Sequence, residues 1–243
     1  MPEKRPALAE IDPQHPFAGS PAQRYANGAA GIVPPKAKAV RGFSAKDVAT
    51  AYKRAKKLLV AAHLDRPTLA GGRPDAFIRQ LDADQRKEFV KDLDSRDESK
   101  NTRVWVTSFA PGQAELVGDV IKVNGSMRAV STKSYLAEGG RELEIRYEYR
   151  LVYAVRKPGD PNKITRVLVH EKGVYSFYRF FAEEKGYFSI DGGTTSIAGA
   201  KCESTDGYVH PEYEPTEVTE EEAVDPYAAN ADPGGDCVPV SRI

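Results

Sequence analysis

Asp119, Tyr147, Tyr149 and His170 have side-chain types and strand positions that could do acid–base or ligand chemistry. Asp119 shares strand parity with Val117, Ile121 and Val123, so an unbroken strand would set its carboxylate on an apolar face. A carboxylate held there has a raised pKa and can act as a general base. Gly118 beside it offers the competing expectation, a bulge that turns Asp119 outward. His170 is the one histidine in a strongly strand-like run, and it shares a face with Ile164, Arg166 and Leu168. That mixed face suits a structural or exposed imidazole better than a base, because no second histidine and no orienting carboxylate is marked out near it. Tyr147, Tyr149 and Tyr153 alternate along one run and are expected as core or sheet-surface aromatics, with a ligand platform as the alternative. The first four are therefore the ligand-binding candidates, and no catalytic residue is assigned.

The remaining motifs are weaker. His210-Pro211 with Glu212 or Glu214 offers two or three potential ligands in an acidic tail, which does not define a metal centre. Gly192-Gly193-Thr194-Thr195-Ser196 lacks the GK[ST] ending and the following helix of a phosphate loop, and a plain turn is expected there. There is no GxSxG, no HExxH and no paired-cysteine cluster, so neither metal nor cofactor is assigned. Cys202 and Cys237 are two free thiols or one disulfide. The bridge is favoured, because little else would hold Cys237 down. Closing so long a loop stabilises by about 3–4 kcal/mol in the chain-entropy model and implies an oxidising compartment.

The elements that must position these groups are legible from periodicity. From Glu142 to Val155 the chain alternates: Leu143, Ile145, Tyr147, Tyr149, Leu151, Tyr153 and Val155 point one way, and Glu142, Glu144, Arg146, Glu148 and Arg150 the other. Period two predicts a long antiparallel strand with one buried and one wet face. Ahead of it, Ser44 and Asp47 have capping-box spacing, and Phe43 with Val48 forms a hydrophobic staple. Val48, Tyr52, Ala55, Leu59 and Ala62 then recur at helical spacing over residues 45–63, with Lys46, Lys53 and Lys57 opposite. A short helix after Pro74-Asp75 carries Phe77, Ile78 and Leu81. Another, capped by Asp82, carries Phe89, Val90 and Leu93. Strands are predicted over 104–109, 114–130 (bent at Gly118 or Asn124-Gly125) and 164–181 (broken near Gly173), with more at 187–190 and 196–202. Helices followed by hairpin-linked strands mean an α+β fold with an antiparallel sheet of four to six strands, strongly curved over the N-terminal helices.

Composition bounds the function. Thirty-five basic residues balance thirty-five acidic ones in 243 residues, so a nucleic-acid partner is not expected. The charges are segregated, with eight basic residues and one acid over 36–57 against eleven acids and no Lys or Arg over 203–236. Two solvated surfaces explain this, and a basic face toward an anionic partner is the sharper alternative. Mean hydropathy is −0.51, and proline recurs through residues 1–42 without an apolar period. Those residues are expected to form a Pro/Ala/Gly-rich disordered linker, 43–210 a single α+β domain, and 211–243 an acidic tail clipped by the bridge.

In element order, residues 43–202 resemble the cone-shaped α+β fold of the nuclear transport factor 2-like (cystatin-like) superfamily. In detail the chain looks like a group of uncharacterised actinobacterial envelope proteins. The pieces that carry this are Glu115-Leu116-Val117-Gly118-Asp119-Val120, Tyr147-Glu148-Tyr149-Arg150-Leu151-Val152-Tyr153, and Cys202 with Asp206-Gly207-Tyr208-Val209-His210-Pro211. The resemblance implies a cysteine-bridged domain on the extracytoplasmic side of the cell membrane, associated with it through a segment absent from this chain. It implies no activity. The expected function is a non-catalytic domain for protein–protein contact or scaffolding. The alternatives are a cone-fold small-ligand binder or enzyme using cavity acids and bases, and a cytosolic accessory protein.

Overall fold

The computed structural model describes residues 11–133, 140–178, 187–202, 204–214 and 225–228, with backbone alone at Tyr187 and Asp191. Ser44 opens the first helix. Its Oγ accepts the Asp47 backbone N–H at 3.2 Å, and the Asp47 carboxylate accepts the Ser44 N–H at 2.8 Å, closing the capping box. Phe43 and Val48 are buried in one cluster, as the staple requires. Helix α1 (Ala45–His63) buries Tyr52, Ala55, Leu58 and Leu59, while Lys46, Lys53 and Lys57 stay exposed. Short helices α2 (Arg66–Leu69), α3 (Asp75–Ile78) and α4 (Ala83–Asp92) follow. Phe77, Ile78, Leu81 and Phe89 point inward as expected, but Val90 is exposed. Asp82 stands at the start of α4 without capping it. Its carboxylate instead accepts from Arg54 at 2.6 Å and from the Phe188 N–H at 3.2 Å, tying the helices to the sheet.

The described strands are β1 (Ala26–Asn27), β2 (Glu115–Leu116), β3 (Lys122–Lys133), β4 (Arg141–Lys157), β5 (Asp160–Tyr178) and β6 (Tyr187–Ala198). They form one open sheet in the order β1-β3-β4-β5-β6, with β2 paired to the end of β4, and every strand pair is antiparallel. The α+β class and the antiparallel sheet are as expected. One expected strand, 114–130, is two: Gly118 takes φ +69°, and the strand breaks between β2 and β3 just after the Val117 N–H bonds the Ala154 carbonyl at 2.9 Å. Residues 104–109 form no strand in the sheet. A 3-10 turn at Thr102–Trp105 exposes Val104 and Trp105 instead. Residues 192–196, expected as a turn, lie inside β6.

The alternation of β4 holds on its inner face. Leu143, Ile145, Tyr149, Leu151, Tyr153 and Val155 are buried against α1 and its neighbours. The outer face departs from expectation. Glu142 is buried and accepts from Thr132 at 3.1 Å, and Glu144, Arg146, Glu148 and Arg150 are half-buried. Along the middle of the sheet a second core covers this face: Val152, Ala154 and Leu168 meet Phe17, Ala22, Val117 and Ala198. Each such buried apolar side chain contributes on the order of 1.5–3 kcal/mol if large.

The disordered-linker expectation therefore fails for residues 11–42. Phe17 and Ala22 pack on the outer face, β1 pairs with β3, Ile32 enters the inner core, and Arg166 pins the segment by donating to the Pro16 and Ala18 carbonyls at 2.6 and 2.9 Å. The acidic tail is not uniformly free either. Tyr213 donates to the Gln113 carbonyl at 2.8 Å, and Tyr227 packs on the outer core edge-on to Tyr25. No helix among the described residues is long and apolar enough to cross a membrane.

Candidate functional site

Period two sends neighbouring residues of β5 to opposite faces. Val167, Val169, Glu171, Gly173 and Tyr175 take the inner face, and Leu168, His170 and Lys172 the outer one. Across the ladder Tyr147 stands opposite Gly173, and Thr195 opposite Glu171. A carboxylate, two phenols and a hydroxyl thus meet on the inner face of three adjacent strands.

Glycines make the space. A Cβ on Gly173 would lie 2.3 Å from the Tyr147 hydroxyl, so the ring can fold over β5 only because residue 173 has no side chain. Tyr147 meets Tyr175 at 4.7 Å between ring centroids. Its hydroxyl donates to Glu171 Oε1 across a long 3.5 Å, and Thr195 donates to Oε2. Burial pushes the Glu171 carboxyl up to about 7, against the pull of these two donors. Burial also raises both phenols, most strongly helped at Tyr147 by the adjoining Tyr175 and Glu171.

These groups line a cavity of about 560 Å³. Phe77, Trp105, Val169 and Ile190 give it apolar walls, and His63 and Thr107 a second polar spot. His63 ends α1, where Nδ1 lies 2.9 Å from the Thr107 hydroxyl and its carbonyl accepts from Tyr153 at 2.9 Å. Burial lowers its pKa to about 4, so the imidazole is neutral at neutral pH. Arg103 holds the covering loops. It is buried, makes two 2.8 Å bonds to the Asp94 carboxylate and another to the Gly72 carbonyl, and stacks on Tyr208 at 4.6 Å.

Of the four residues singled out from the sequence, Tyr147 alone lines the cavity. Asp119 turns outward behind Gly118, with its side chain 97 % exposed beside Arg66 at 2.9 Å. An apolar-face base is thereby overturned in favour of the bulge-like break. Tyr149 is core, and burial raises its hydroxyl to about 12. His170 is on the outer face, 1 % exposed, with Nε2 2.9 Å from Glu148 Oε1. Its pKa is lowered by burial, with Glu148 opposing and Arg150 and Lys172 reinforcing. His210 bonds Gln113 and Asp206 at 3.0 Å, and no group of His, Cys, Asp and Glu among the described residues could hold a metal ion. The expected Cys202–Cys237 bridge involves Cys237, which lies outside the described residues.

Sequence reasoning missed Glu171, His63 and Trp105. Glu171 had a signal, since it is the one acid in the set 167, 169, 171, 173, 175. His63 follows Leu59 by four residues and so continues the apolar stripe of α1. Trp105 had none, because its exposure comes from a turn read as a strand. The chain matches no protein-family model, no curated protein and no solved structure.

Proposed function

We propose that this chain binds a small organic molecule in the cavity between the inner faces of β4–β6 and the loops that carry Trp105 and Tyr208. The observation that carries the reading is a cavity of about 560 Å³ in which apolar and aromatic side chains face convergent polar groups, foremost Glu171 with Tyr147 and Thr195. Ligand sites run to roughly 300–1,000 Å³, with few convergent polar groups among apolar ones. Binding is favoured over catalysis because His63, its pKa lowered to about 4 by burial, is a weak base and its Nδ1 is engaged by Thr107. Helices on one face of an antiparallel sheet, with a cavity between, support membership of the nuclear transport factor 2-like cone fold. The extracytoplasmic, membrane-associated setting belongs to the same proposal and rests on the sequence resemblance, with the bridge between Cys202 and Cys237 as part of what is proposed.

The test is uptake of a neutral apolar dye such as Nile red, followed by its own emission and by quenching of Trp105. Ile190→Trp, which fills the cavity, is expected to abolish uptake while leaving the fold intact by circular dichroism. Undiminished uptake in that variant would refute the reading.

A second observation favours the contact-domain reading. A groove of about 690 Å³ lies between α1, α2 and α3, with Val60, Leu64 and Ala76 along its floor and Lys53, Lys56, Lys57 and Arg79 on its rim. None of these four cations has an ion-pair partner among the described residues. Its charge fits an acidic, partly apolar segment of a partner protein. Binding of a synthetic acidic amphipathic peptide, lost in Lys53→Glu/Lys57→Glu, tests it; equal binding by that variant would count against it.

A further inference from the structure

We propose that the ligand of this cavity is an organic cation, an amine or quaternary ammonium, whose charge sits against Glu171 beside the Tyr147 and Tyr175 rings. The inference rests on the small-ligand reading above and names its substrate class.

Glu171 lacks a charged partner among the described residues. Among them it accepts only from two neutral hydroxyls, those of Tyr147 and Thr195. No described Lys, Arg or His pairs with this half-buried carboxylate, although carboxylates withdrawn from water are usually matched by a cation. Lys172, the next residue, points to the outer face and pairs with Glu148 at 3.8 Å. The acid is thus left unbalanced where the cavity could supply the balance. An anionic ligand would meet it with repulsion, and a neutral one would leave it uncompensated.

Aromatic faces supply the rest of a cation site. The Tyr147 and Tyr175 rings stand 4.7 Å apart beside the carboxylate, and Trp105 is part of the same wall system and 37 % exposed. Ring faces attract ammonium groups, most strongly when water is excluded. Among the titratable groups facing Glu171, Tyr147, Tyr153 and Tyr175 stay neutral because burial raises each of them. His63 is neutral at neutral pH, and Glu98 and Lys201 are exposed cavity-lining groups of opposite charge. Binding a cation therefore draws the carboxyl toward its ionised form. With its free pKa near 7, cation binding at neutral pH releases a proton.

The experiment compares benzyltrimethylammonium with benzyl alcohol, a permanent cation against a neutral molecule with the same ring, by calorimetric titration of the full chain. Near pH 8 the ammonium is expected to bind at least about tenfold tighter, since a desolvated cation–π and carboxylate contact exceeds the roughly 1.4 kcal/mol that tenfold requires. The preference shrinks toward pH 5, where Glu171 carries its proton, and the heat near pH 7 varies with the buffer's own ionisation heat. Glu171→Gln removes the preference of the site for the ammonium over the alcohol. Equal binding of cation and alcohol, or a preference that survives Glu171→Gln, overturns this inference and leaves the small-ligand reading standing. Binding of neither probe, together with no dye uptake, overturns both.

Discussion

The Tyr147 phenol lies across the backbone of Gly173 on the neighbouring strand, so close that a methyl group at 173 would overlap its oxygen at 2.3 Å. This contact sets the ring against Glu171 and Tyr175 and keeps these polar groups of the cavity in place. Gly173→Ala is therefore expected to force Tyr147 off its position and to cost about 1–3 kcal/mol as an overpacking change. Urea denaturation measures the cost. The double variant Gly173→Ala/Tyr147→Phe, which removes the colliding oxygen, is expected to recover part of it.

Arg103→Ala is expected to destabilise by about 2–4 kcal/mol. It removes both bonds to Asp94 and the bond to Gly72, and leaves that carbonyl and the Tyr208 ring without their partner. Arg103→Lys keeps the charge but not the paired geometry, so most of the loss is expected to remain. Thermal unfolding of the two variants beside the parent checks this. Recovery to parental stability by lysine would show that charge alone, not the fork, holds the loops.

Leu151→Ala should cost about 2–5 kcal/mol, because Leu151 is fully buried on the inner face of β4. Glu148→Ala, which a fully wet outer face would make neutral, should instead cost about 1–3 kcal/mol. Glu148 is the hydrogen-bond partner of the buried His170, and its loss leaves that imidazole unsatisfied. Chemical denaturation of both variants separates the two accounts: a Glu148→Ala change near zero would restore the simple alternation.

How much of this was legible follows from the range of the interactions. The capping box of Ser44 and Asp47 spans three residues, and the β4 alternation needs only its own strand, so both could be read directly. Phe17 and Leu168 share the outer core although they are far apart in the chain. Nothing periodic in the Pro-rich segment announces that pairing, so its residues alone predict a linker. At the site, attention to the one histidine of β5 chose His170, while its neighbour Glu171 carried the signal. Adjacent strand residues face opposite ways, and the inner-face set of apolar residues held a single acid. The Gly173–Tyr147 contact joins two strands and required the register to be known.

Titration should resolve two opposed ionisations. His63 titrates at about 4 in the folded chain against an ordinary 6.5. As pH falls the unfolded chain binds this proton first, so stability is full above about 6.5 and falls by roughly 3 kcal/mol toward pH 4. His170, also lowered, adds in the same direction. Glu171 does the reverse. Its folded pKa of about 7 exceeds the ordinary 4.5, so its contribution is full below 4.5 and is lost as pH rises through 7. The parent is expected to vary little over about pH 4.5–6.5, where the effects offset. Glu171→Gln should leave a steeper loss on acidification, and His63→Gln a shallower one, in urea denaturation repeated across this range. Parallel profiles for all three proteins would remove both groups from the interior.

The most direct measurement is the titration of the Glu171 side-chain carboxyl itself, by carbon-detected NMR on the glutamate-labelled full chain, with the resonance assigned through Glu171→Gln. A midpoint near 7 is the expected result, because an acid enclosed beside two phenols without a cation resists ionisation. A midpoint near the ordinary 4.5 would mean that water reaches the carboxylate freely, and would contradict the cavity-bound acid on which the ligand reading depends.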